Sequence, residues 1–358
     1  MSIPSVVFEL ATGEKGLSEM LRGAALALAE IRHPVRLHLV GYDAGKVRRA
    51  ARSRLLPAAN ASGSQLSFHE AKDQLPPRIE SPVKVYRGYP NNPISVGLKL
   101  AAETEAVFIS PGNTGLVMTC AMFIMGRLPG ISRPPIITPL PTRKKSIFCL
   151  DAGAHVDVRP QHLLQFAHIG RVYVERITGR HNPRIGLLSN GTEDYKGNSL
   201  VREAHRLLSE DGSLNFVGYI EGQDVFSGDI DLMVCDGFIG NILLKSAEGL
   251  ASSFYRILRE EMKSNPLKAW AARAFLGTAL SHLKKRLDYS EWGGAPLLGI
   301  DGNVVICHGR SNANAIKNAI YWGLKMVQEN MSKVIGEEVR ASGGASGSAE
   351  NDQTSPQL

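Results

Sequence analysis

Short apolar runs that alternate with helical segments constrain the fold of this chain more than any other sequence feature. The runs at residues 106–109, 183–188 and 232–234 each have the length of one buried strand. Each is followed by a polar turn that contains glycine, and apolar side chains then recur at helical spacing. Because this alternation is typical of parallel sheets whose turns gather at one edge, we predict an α/β fold.

The length of the chain indicates two lobes, since a single hydrophobic core stops growing well below 358 residues. We place residues 1–145 and 293–339 in a first α/β lobe and residues 146–292 in a second. The last helix is predicted at residues 313–335. Residues 340–358 are mostly small or polar and offer little for a core to bury, so we predict a disordered tail there.

Composition and charge limit the classes of partner and the compartment, but they do not identify one partner. The net charge of +7 suits an anionic partner such as phosphate, an acidic carrier protein, an anionic membrane surface or nucleic acid. The four cysteines are widely spaced and form no pairs at metal-ligand intervals, which favours structural roles in a reducing compartment. Without a secretory signal or a run of about 18 apolar residues, the chain is expected to be cytosolic.

The turn after residues 232–234 has the features of a ligand-binding corner. Asp236 stands at the carboxyl end of the predicted strand, where ligands bind in open α/β sheets. Gly237 and Gly240 permit unusual backbone angles, and Asn241 is a candidate cap for the following helix.

A second corner lies at Ser110-Pro-Gly-Asn-Thr-Gly115, between a short strand and the helical run at residues 116–125. A glycine-containing turn that leads into a helix presents backbone N–H groups and the positive end of the helix dipole. The sequence fits an oxyanion or phosphate site at Asn113, and it equally fits a simple capped turn.

Two further turns carry polar side chains with two plausible roles each. Lys196 and Asn198 follow the strand at residues 183–188, and Lys196 suits either a phosphate contact or a solvated loop lysine. His308 precedes Ser311 in the turn before the last helix, where it suits either a substrate contact or a capping role.

Residues 254–287 carry apolar and aromatic side chains at helical spacing opposite lysines and arginines, and Pro266 divides them into two predicted helices. A basic amphipathic hairpin of this kind suits a membrane interface, and the same apolar stripe suits a partner subunit.

The candidate side chains favour direct transfer between two bound substrates. No histidine or cysteine is set up as a nucleophile, so charge stabilisation and positioning would supply the acceleration. No G-x-G-x-x-G segment follows the first strand and no Walker sequence is present, so we expect no nucleotide cofactor. Direct transfer needs no metal, and we expect none.

Eight segments of the chain resemble, in order, the motifs of the phosphate acyltransferases of bacterial phospholipid synthesis. They are Ser110-Pro-Gly-Asn-Thr-Gly115, Leu150-Asp-Ala-Gly-Ala154, Arg159-Pro-Gln-His-Leu-Leu-Gln-Phe-Ala167, Tyr195-Lys-Gly-Asn198, Ile220-Glu-Gly222, Val234-Cys-Asp-Gly-Phe-Ile-Gly-Asn241, Asp288-Tyr-Ser-Glu-Trp-Gly-Gly-Ala295 and His308-Gly-Arg-Ser-Asn312. The resemblance is weaker before residue 106, where Phe8-Glu-Leu-Ala-Thr-Gly-Glu14 replaces the family's Asp-Ala-Met-Gly-Gly-Asp.

The resemblance implies an enzyme that transfers a fatty acyl group from acyl carrier protein to inorganic phosphate. It further implies a cytoplasmic homodimer with a two-lobed parallel-sheet sandwich of the phosphotransacetylase and isopropylmalate dehydrogenase type. Peripheral contact with the inner face of the cytoplasmic membrane would run through residues 254–287. A glycerol-phosphate acyltransferase would consume the product, and nucleic acid is not an expected partner.

On this resemblance, Lys196 and Asp236 are the expected catalytic residues. The expected substrate-binding residues are Ser110, Gly112, Asn113, Thr114, Gly115, Asn198, Gly237, Asn241 and His308.

Two other functions remain open at the level of sequence. One is a non-catalytic paralogue that binds the acyl carrier or a membrane, because Pro111, His155 and Gln223 replace the family's usual alanine, asparagine and arginine. The other is a phosphotransacylase that uses short acyl-coenzyme A thioesters.

Overall fold

The structure, a computed structural model, describes residues 3–263 and 291–343. Its strands form one six-stranded and one five-stranded sheet. The strands are β1 (Ser5–Glu9), β2 (Arg36–Gly41), β3 (Gln65–Glu70), β4 (Val107–Ser110), β5 (Ile137–Leu140), β6 (Ile147–Leu150), β7 (Ile185–Leu188), β8 (Phe216–Ile220), β9 (Leu232–Val234), β10 (Ala295–Leu297) and β11 (Asn303–Ile306).

Helices connect most of these strands, as the alternation in the sequence predicts. They are α1 (Gly16–Glu30), α2 (Ala44–Ala51), α3 (Leu55–Ser62), α4 (Pro82–Gly88), α5 (Pro93–Thr104), α6 (Thr114–Ile124), α7 (Pro160–Thr178), α8 (Ser199–Glu210), α9 (Gly237–Lys263), α10 (Ala313–Gln328) and α11 (Met331–Gly343), with a short 3₁₀ turn at Asp224–Phe226. Within the described ranges, no helix is both long and apolar enough to cross a membrane.

The first sheet has the order β10-β11-β4-β1-β2-β3, and β10 alone among these strands runs antiparallel to its neighbour. Its central strands β1 and β4 are buried along their whole length, which explains the apolar runs at residues 6–8 and 107–109. Since β11, β4, β1, β2 and β3 are parallel, their carboxyl ends share one edge of the sheet.

The second sheet has the order β5-β6-β9-β7-β8, with only the β5–β6 pair antiparallel. It joins the first sheet beside β10, where Ile136 forms an isolated bridge to Leu297. Aromatic rings also connect the two sheets, because Trp292 meets Phe148 of β6 edge to face and stacks on Trp322 of α10. The α/β fold with two mostly parallel sheets is confirmed.

The boundary between the sheets falls earlier than the proposed lobe boundary at residue 145. Strand β5, which that boundary assigns to the first lobe, pairs with β6 in the second sheet. The connection at residues 141–146 is short enough to join the two strands as an antiparallel pair, so they stay in one sheet.

Two predictions about the carboxyl-terminal region are corrected. The single helix expected at residues 313–335 is divided into α10 and α11, because Asn330 adopts a left-handed backbone conformation that ends α10. The tail expected from residue 340 begins later, since α11 continues through Gly343 and packs Val339 into the core. Residues 344–358 lie outside the described part of the chain.

The amphipathic segment at residues 254–287 is only partly described. Residues 254–263 form the end of α9, and the remainder of the predicted hairpin, including Pro266, lies outside the described residues.

Candidate active site

A cavity of about 560 Å³ opens at the carboxyl edge of the first sheet. Residues that follow five parallel strands line it: Thr12 after β1, Tyr42 after β2, Leu75 after β3, Asn113 after β4 and His308 after β11. This edge is where ligands bind in open α/β proteins.

The Asn113 turn leads directly from β4 into α6. The Asn113 side chain caps the helix, since its Oδ1 accepts a hydrogen bond from the Leu116 N–H at 3.0 Å. Asn113 and Thr114 are exposed and line the cavity with Gly112. The first N–H groups of a helix have no partner inside it, so the turn brings donors and the positive dipole end to the cavity.

Gly112 allows this turn to pack closely. A Cβ at this position would lie 2.9 Å from Ile94 Cδ1, 3.0 Å from Ser110 Oγ and 3.1 Å from Thr12 Oγ1. Any larger residue would therefore push the turn away from β1 and α5.

Glu9, which the sequence did not single out, holds the Asn113 corner together. Its carboxylate is completely buried and accepts hydrogen bonds from Ser110 Oγ at 2.8 Å and from Thr12 Oγ1 at 2.5 Å. The backbone N–H groups of Ala11 and Thr12 donate to it as well. Burial raises the pKa of Glu9, and these donors partly offset that effect.

The signal for Glu9 was present in the sequence, since a carboxylate at the end of an apolar strand is the same feature that identified Asp236. Ser110 is fully buried beneath the turn, and its hydroxyl also accepts a hydrogen bond from the Gly112 N–H at 3.0 Å. These hydrogen bonds of Ser110 therefore support the Asn113 turn from its buried side.

In the corner that follows β9, Asp236 is the N-cap of α9. Its Oδ1 accepts a hydrogen bond from the Ile239 N–H at 2.9 Å, and α9 begins at Gly237. The prediction that Asn241 caps this helix is wrong, because Asn241 lies inside α9 with its side chain exposed. Asp236 caps the helix instead, because its carboxylate stands at the end of β9 directly before Gly237.

The turn that follows β6 packs against the first turn of α9. A Cβ on Gly237 would lie 2.7 Å from Asp151 Oδ2, and one on Gly240 would lie 1.9 Å from the Asp151 carbonyl oxygen. Gly153 lies on the other side of this contact, near Asn241. The two glycines of α9 are therefore required by this close approach.

Asp151 organises that turn from inside. Its Oδ1 accepts hydrogen bonds from the N–H groups of Ile136, Gly153 and Ala154, and its Oδ2 accepts one from His155 at 2.7 Å. Burial raises the pKa of Asp151 to about 6, against the opposing effect of these donors.

His155 is held as a structural residue. Its Nε2 lies 2.9 Å from the Pro134 carbonyl oxygen, which is an acceptor only, so the ring donates there. Burial lowers the pKa of His155 to about 4, which keeps the ring neutral near pH 7.

Lys196 lies in the turn between β7 and α8. Its Nζ is 5.4 Å from the centre of the Tyr195 ring, and its stem packs over Gly191. Asn198 caps α8 by accepting a hydrogen bond from the Val201 N–H at 2.9 Å. Gly197 adopts a positive φ of 84°, which is a conformation that glycine enters without strain.

His308 lies at the mouth of the cavity with its ring exposed. Its Nδ1 accepts a hydrogen bond from the Arg310 N–H at 3.0 Å. Arg310 Nε in turn donates to Glu14 Oε2 at 3.0 Å, and the Glu14 N–H donates to the Gly309 carbonyl. These contacts fix the His308 turn beside the end of β1.

The structure thus brings Gly112, Asn113, Thr114 and His308 together around one cavity. Asp236, Gly237 and Asn241 gather around the Asp151 turn of the second sheet. Within residues 3–263 and 291–343, no hydrogen bond or ion pair connects Lys196 to Asn113 or Asp236.

Comparison with known proteins places the chain in a family. A sequence model described as "Fatty acid synthesis protein" matches residues 5–334. A phosphate acyltransferase of Pelotomaculum thermopropionicum is 42% identical over 336 residues, which cover 92% of this chain and 92% of that protein. A phosphate acyltransferase of Syntrophotalea carbinolica is 46% identical over 264 residues, or 73% of this chain and 74% of that protein.

Among solved structures, the fold is similar to the EutD phosphotransacetylase from Staphylococcus aureus. The TM-score is 0.56 at 16% sequence identity, and the superposition covers 91% of this chain and 94% of that chain. This likeness supports the two-sheet α/β sandwich predicted from the resemblance. The matches in sequence show that the chain belongs to the phosphate acyltransferase family.

Proposed function

We propose that this enzyme transfers a fatty acyl group from acyl carrier protein to inorganic phosphate. Acyl transfer to phosphate follows from membership of the family. The proposal adds that acyl carrier protein is the acyl donor. The structural observation that carries the proposal is the α6 N-terminus at Asn113, which opens onto a 560 Å³ cavity at the sheet edge. A helix N-terminus suits phosphate, and the cavity has room for the rest of a thioester.

The reaction forms one C–O bond and breaks one C–S bond. A phosphate oxygen attacks the thioester carbonyl carbon, the carbonyl oxygen gains negative charge, and the tetrahedral species then expels the carrier thiolate. The thiolate takes up the proton that phosphate gives up, so the products are acyl phosphate and free carrier thiol. No covalent bond to the enzyme is needed, and binding both substrates in line supplies much of the acceleration.

In this mechanism, phosphate binds between the Asn113 turn and Lys196. The lysine ammonium would neutralise phosphate charge, as lysine does at many phosphate sites. Asn241 or neighbouring backbone N–H groups would stabilise the carbonyl oxygen as its charge develops.

Asp236 would orient phosphate or accept its proton. One oxygen of its carboxylate is engaged in capping α9, and this bond fixes the orientation of the other oxygen. Asn198, Gly237 and His308 would complete the walls around the two substrates.

The proposal is tested by incubating the purified protein with hexadecanoyl carrier protein and phosphate and measuring free carrier thiol. We expect thiol release that depends on phosphate concentration. Release by wild type that does not depend on phosphate would contradict the proposal, and no release at all would contradict it and favour a non-catalytic paralogue. Parallel assays with short acyl-coenzyme A thioesters separate the carrier-dependent enzyme from a phosphotransacylase.

The product, an acyl phosphate, is a reactive acyl donor that a glycerol-phosphate acyltransferase would consume. We place the reaction in the cytoplasm, where acyl carrier protein and phosphate are both present. The net charge of +7 favours binding of an acidic carrier.

The exposed apolar face of α9 supports a homodimer. Phe238, Ile242, Leu250, Phe254 and Ile257 are each more than 45% exposed along this helix. A continuous apolar face of this length is typical of a protein interface. We propose that a second copy of the chain covers it.

Leu250→Glu tests the dimer by placing a charge at the most exposed of these positions. We expect the wild type to sediment as a dimer and the variant as a monomer. Ser252→Glu, an exposed position on another side of α9, is the matched control and should leave the dimer intact. A wild type that sediments as a monomer at micromolar concentration would overturn this proposal.

Peripheral membrane contact through residues 254–287 is the remaining part of the proposal. It rests on the basic amphipathic sequence of these residues. Flotation with anionic liposomes tests it, and a protein that stays at the bottom of the gradient would contradict it.

A further inference from the structure

The lining of the 560 Å³ cavity changes from polar to apolar along the edge of the first sheet. Asn113 and His308 follow β4 and β11, whereas Tyr42 follows β2, and Leu75 and Ile79 follow β3. The strand order β11-β4-β1-β2-β3 places these two groups at opposite ends of the cavity. Pro76 and Pro77 extend the apolar end.

The apolar end is held in place from behind. Tyr42, Leu75 and Ile79 pack against the buried core of the first lobe that includes Ile94 and Leu98. The apolar wall is therefore a surface that exists before any ligand binds.

Hydrogen bonds fix the segment that carries Leu75 and Ile79. The Leu75 N–H donates to the Tyr42 hydroxyl oxygen at 3.1 Å. The Asn91 N–H donates to Asp73 Oδ2 at 2.7 Å, and the Asp73 N–H donates to the Asn91 carbonyl. Pro76 and Pro77 directly follow these attachment points, and each proline ring fixes its own φ angle.

The position of the second lobe sets the direction in which a ligand would lie. That lobe joins the first sheet beside β10, through the bridge between Ile136 and Leu297. Strand β3 is at the opposite edge of the sheet. A ligand with its reacting group near Asn113 would therefore extend its tail away from the second lobe, along β1 and β2 toward β3.

The chemistry of the lining points to a hydrocarbon tail. Among the described residues that line the cavity there is no lysine or arginine, and Glu14 adds a carboxylate. The phosphate groups of coenzyme A would find no cationic partner there, whereas an acyl chain would gain from removing its methylenes from water. The volume lies in the usual range for small-ligand sites, roughly 300–1,000 Å³.

We propose that the apolar end of this cavity, at Tyr42, Leu75 and Ile79, holds the acyl chain of the thioester and determines which chain lengths are accepted. The inference rests on the proposed acyl transfer to phosphate. The thioester carbonyl would lie near the Asn113 turn, and the chain would end against the wall after β3.

The test compares Ile79→Trp, which fills the apolar end, with Ile79→Ala, which enlarges it. Leu56→Trp is the matched control, since Leu56 is 40% exposed on α3 and does not line the cavity. The measurement is kcat/KM for carrier thioesters from butanoyl to octadecanoyl, with thermal unfolding recorded for each variant.

Ile79→Trp is expected to lower kcat/KM for hexadecanoyl thioester by about 10-fold or more, and to leave the butanoyl value within about 2-fold. Ile79→Ala is expected to shift the preference toward longer or branched chains, and Leu56→Trp to keep the wild-type profile. If Ile79→Trp fails to fold, the shift in Ile79→Ala decides the test.

Two outcomes are distinguishable. A wild type that transfers no acyl group to phosphate overturns the proposed function, and with it this inference. A wild type that is active, together with Ile79 variants whose chain-length profile matches that of Leu56→Trp, overturns the acyl-chain site alone.

Discussion

The hydroxyl of Ser110 donates a hydrogen bond to Glu9 Oε2 at 2.8 Å and joins the ends of β4 and β1 beneath the candidate phosphate turn. Glu9 is fully buried and also accepts from Thr12 and from two backbone N–H groups. The position of the Asn113 turn therefore depends on a carboxylate that does not line the cavity. Glu9 acts as a positioning residue.

Replacing Glu9 with alanine should destabilise the protein and displace the turn. The four donors would lose their acceptor inside the core, and we expect the free energy of unfolding to fall by about 2–4 kcal/mol. Chemical denaturation measures the change. Glu70→Ala removes an exposed carboxylate at the end of β3 and should change stability by less than about 0.5 kcal/mol. Equal effects of the two substitutions would contradict the role given to Glu9.

Lys196→Ala should lower turnover with little loss of stability. A charge-assisted contact to phosphate would be lost, and we expect kcat/KM for phosphate to fall about 100-fold. Lys46→Ala, which removes an exposed lysine from α2, should leave the rate unchanged. Steady-state kinetics with phosphate varied distinguishes them, and a Lys196→Ala enzyme with wild-type kinetics would remove this residue from the site.

Substitutions at Asp236 should separate its capping role from its chemical role. Asp236→Asn keeps a side-chain oxygen for the Ile239 N–H, so stability should change by less than about 0.5 kcal/mol. The loss of charge should nevertheless lower kcat by about 100-fold.

Asp236→Ala should lower kcat as well and also cost about 1 kcal/mol of stability, because α9 loses its cap. Denaturation and single-turnover kinetics on both variants provide the measurement. An Asp236→Asn enzyme with wild-type kcat would show that the residue acts only as a helix cap.

His155 should make stability depend on pH in the acid range. Its pKa is lowered to about 4 in the folded protein by burial, whereas an unfolded histidine titrates near 6.5. As pH falls, the imidazole is therefore protonated in the unfolded chain before it is protonated in the folded protein. The contribution of His155 to the free energy of unfolding is complete above about pH 6.5. It should fall by about 2 kcal/mol as pH falls toward 4.

Asp151 should act in the opposite direction in an overlapping range. Burial raises its pKa to about 6, so the folded protein keeps the carboxyl proton to a higher pH than the unfolded chain does. The contribution of Asp151 to the free energy of unfolding therefore falls as pH rises from about 4 to 6.

The difference in unfolding free energy between wild type and His155→Asn isolates the histidine. A difference that is constant from pH 4 to 7 would contradict the neutral buried ring.

Much of the fold was readable from local patterns. Apolar runs such as β4 and β9 were predictable because a strand buried on both faces needs continuous apolar side chains. The corners at Asn113, Lys196 and Asp236 were predictable because glycine and a capping residue mark where a strand ends and a helix begins.

Other features were not visible in the spacing of apolar residues. The division of the last helix at Asn330 is set by a local backbone conformation that the helical periodicity does not reveal. The capping of α9 by Asp236, in place of Asn241, follows from where the Asp151 turn packs. Neither could be decided from spacing alone.

The sequence by itself determined the class of fold, the family and the polar residues at the strand ends, because these depend on short-range pattern and on motif order. Only the tertiary structure showed that buried Glu9 supports the Asn113 turn and that Tyr42, Leu75 and Ile79 form the far wall of one cavity. The physical reason is the strand order β11-β4-β1-β2-β3, which makes neighbours of segments that lie far apart in the chain.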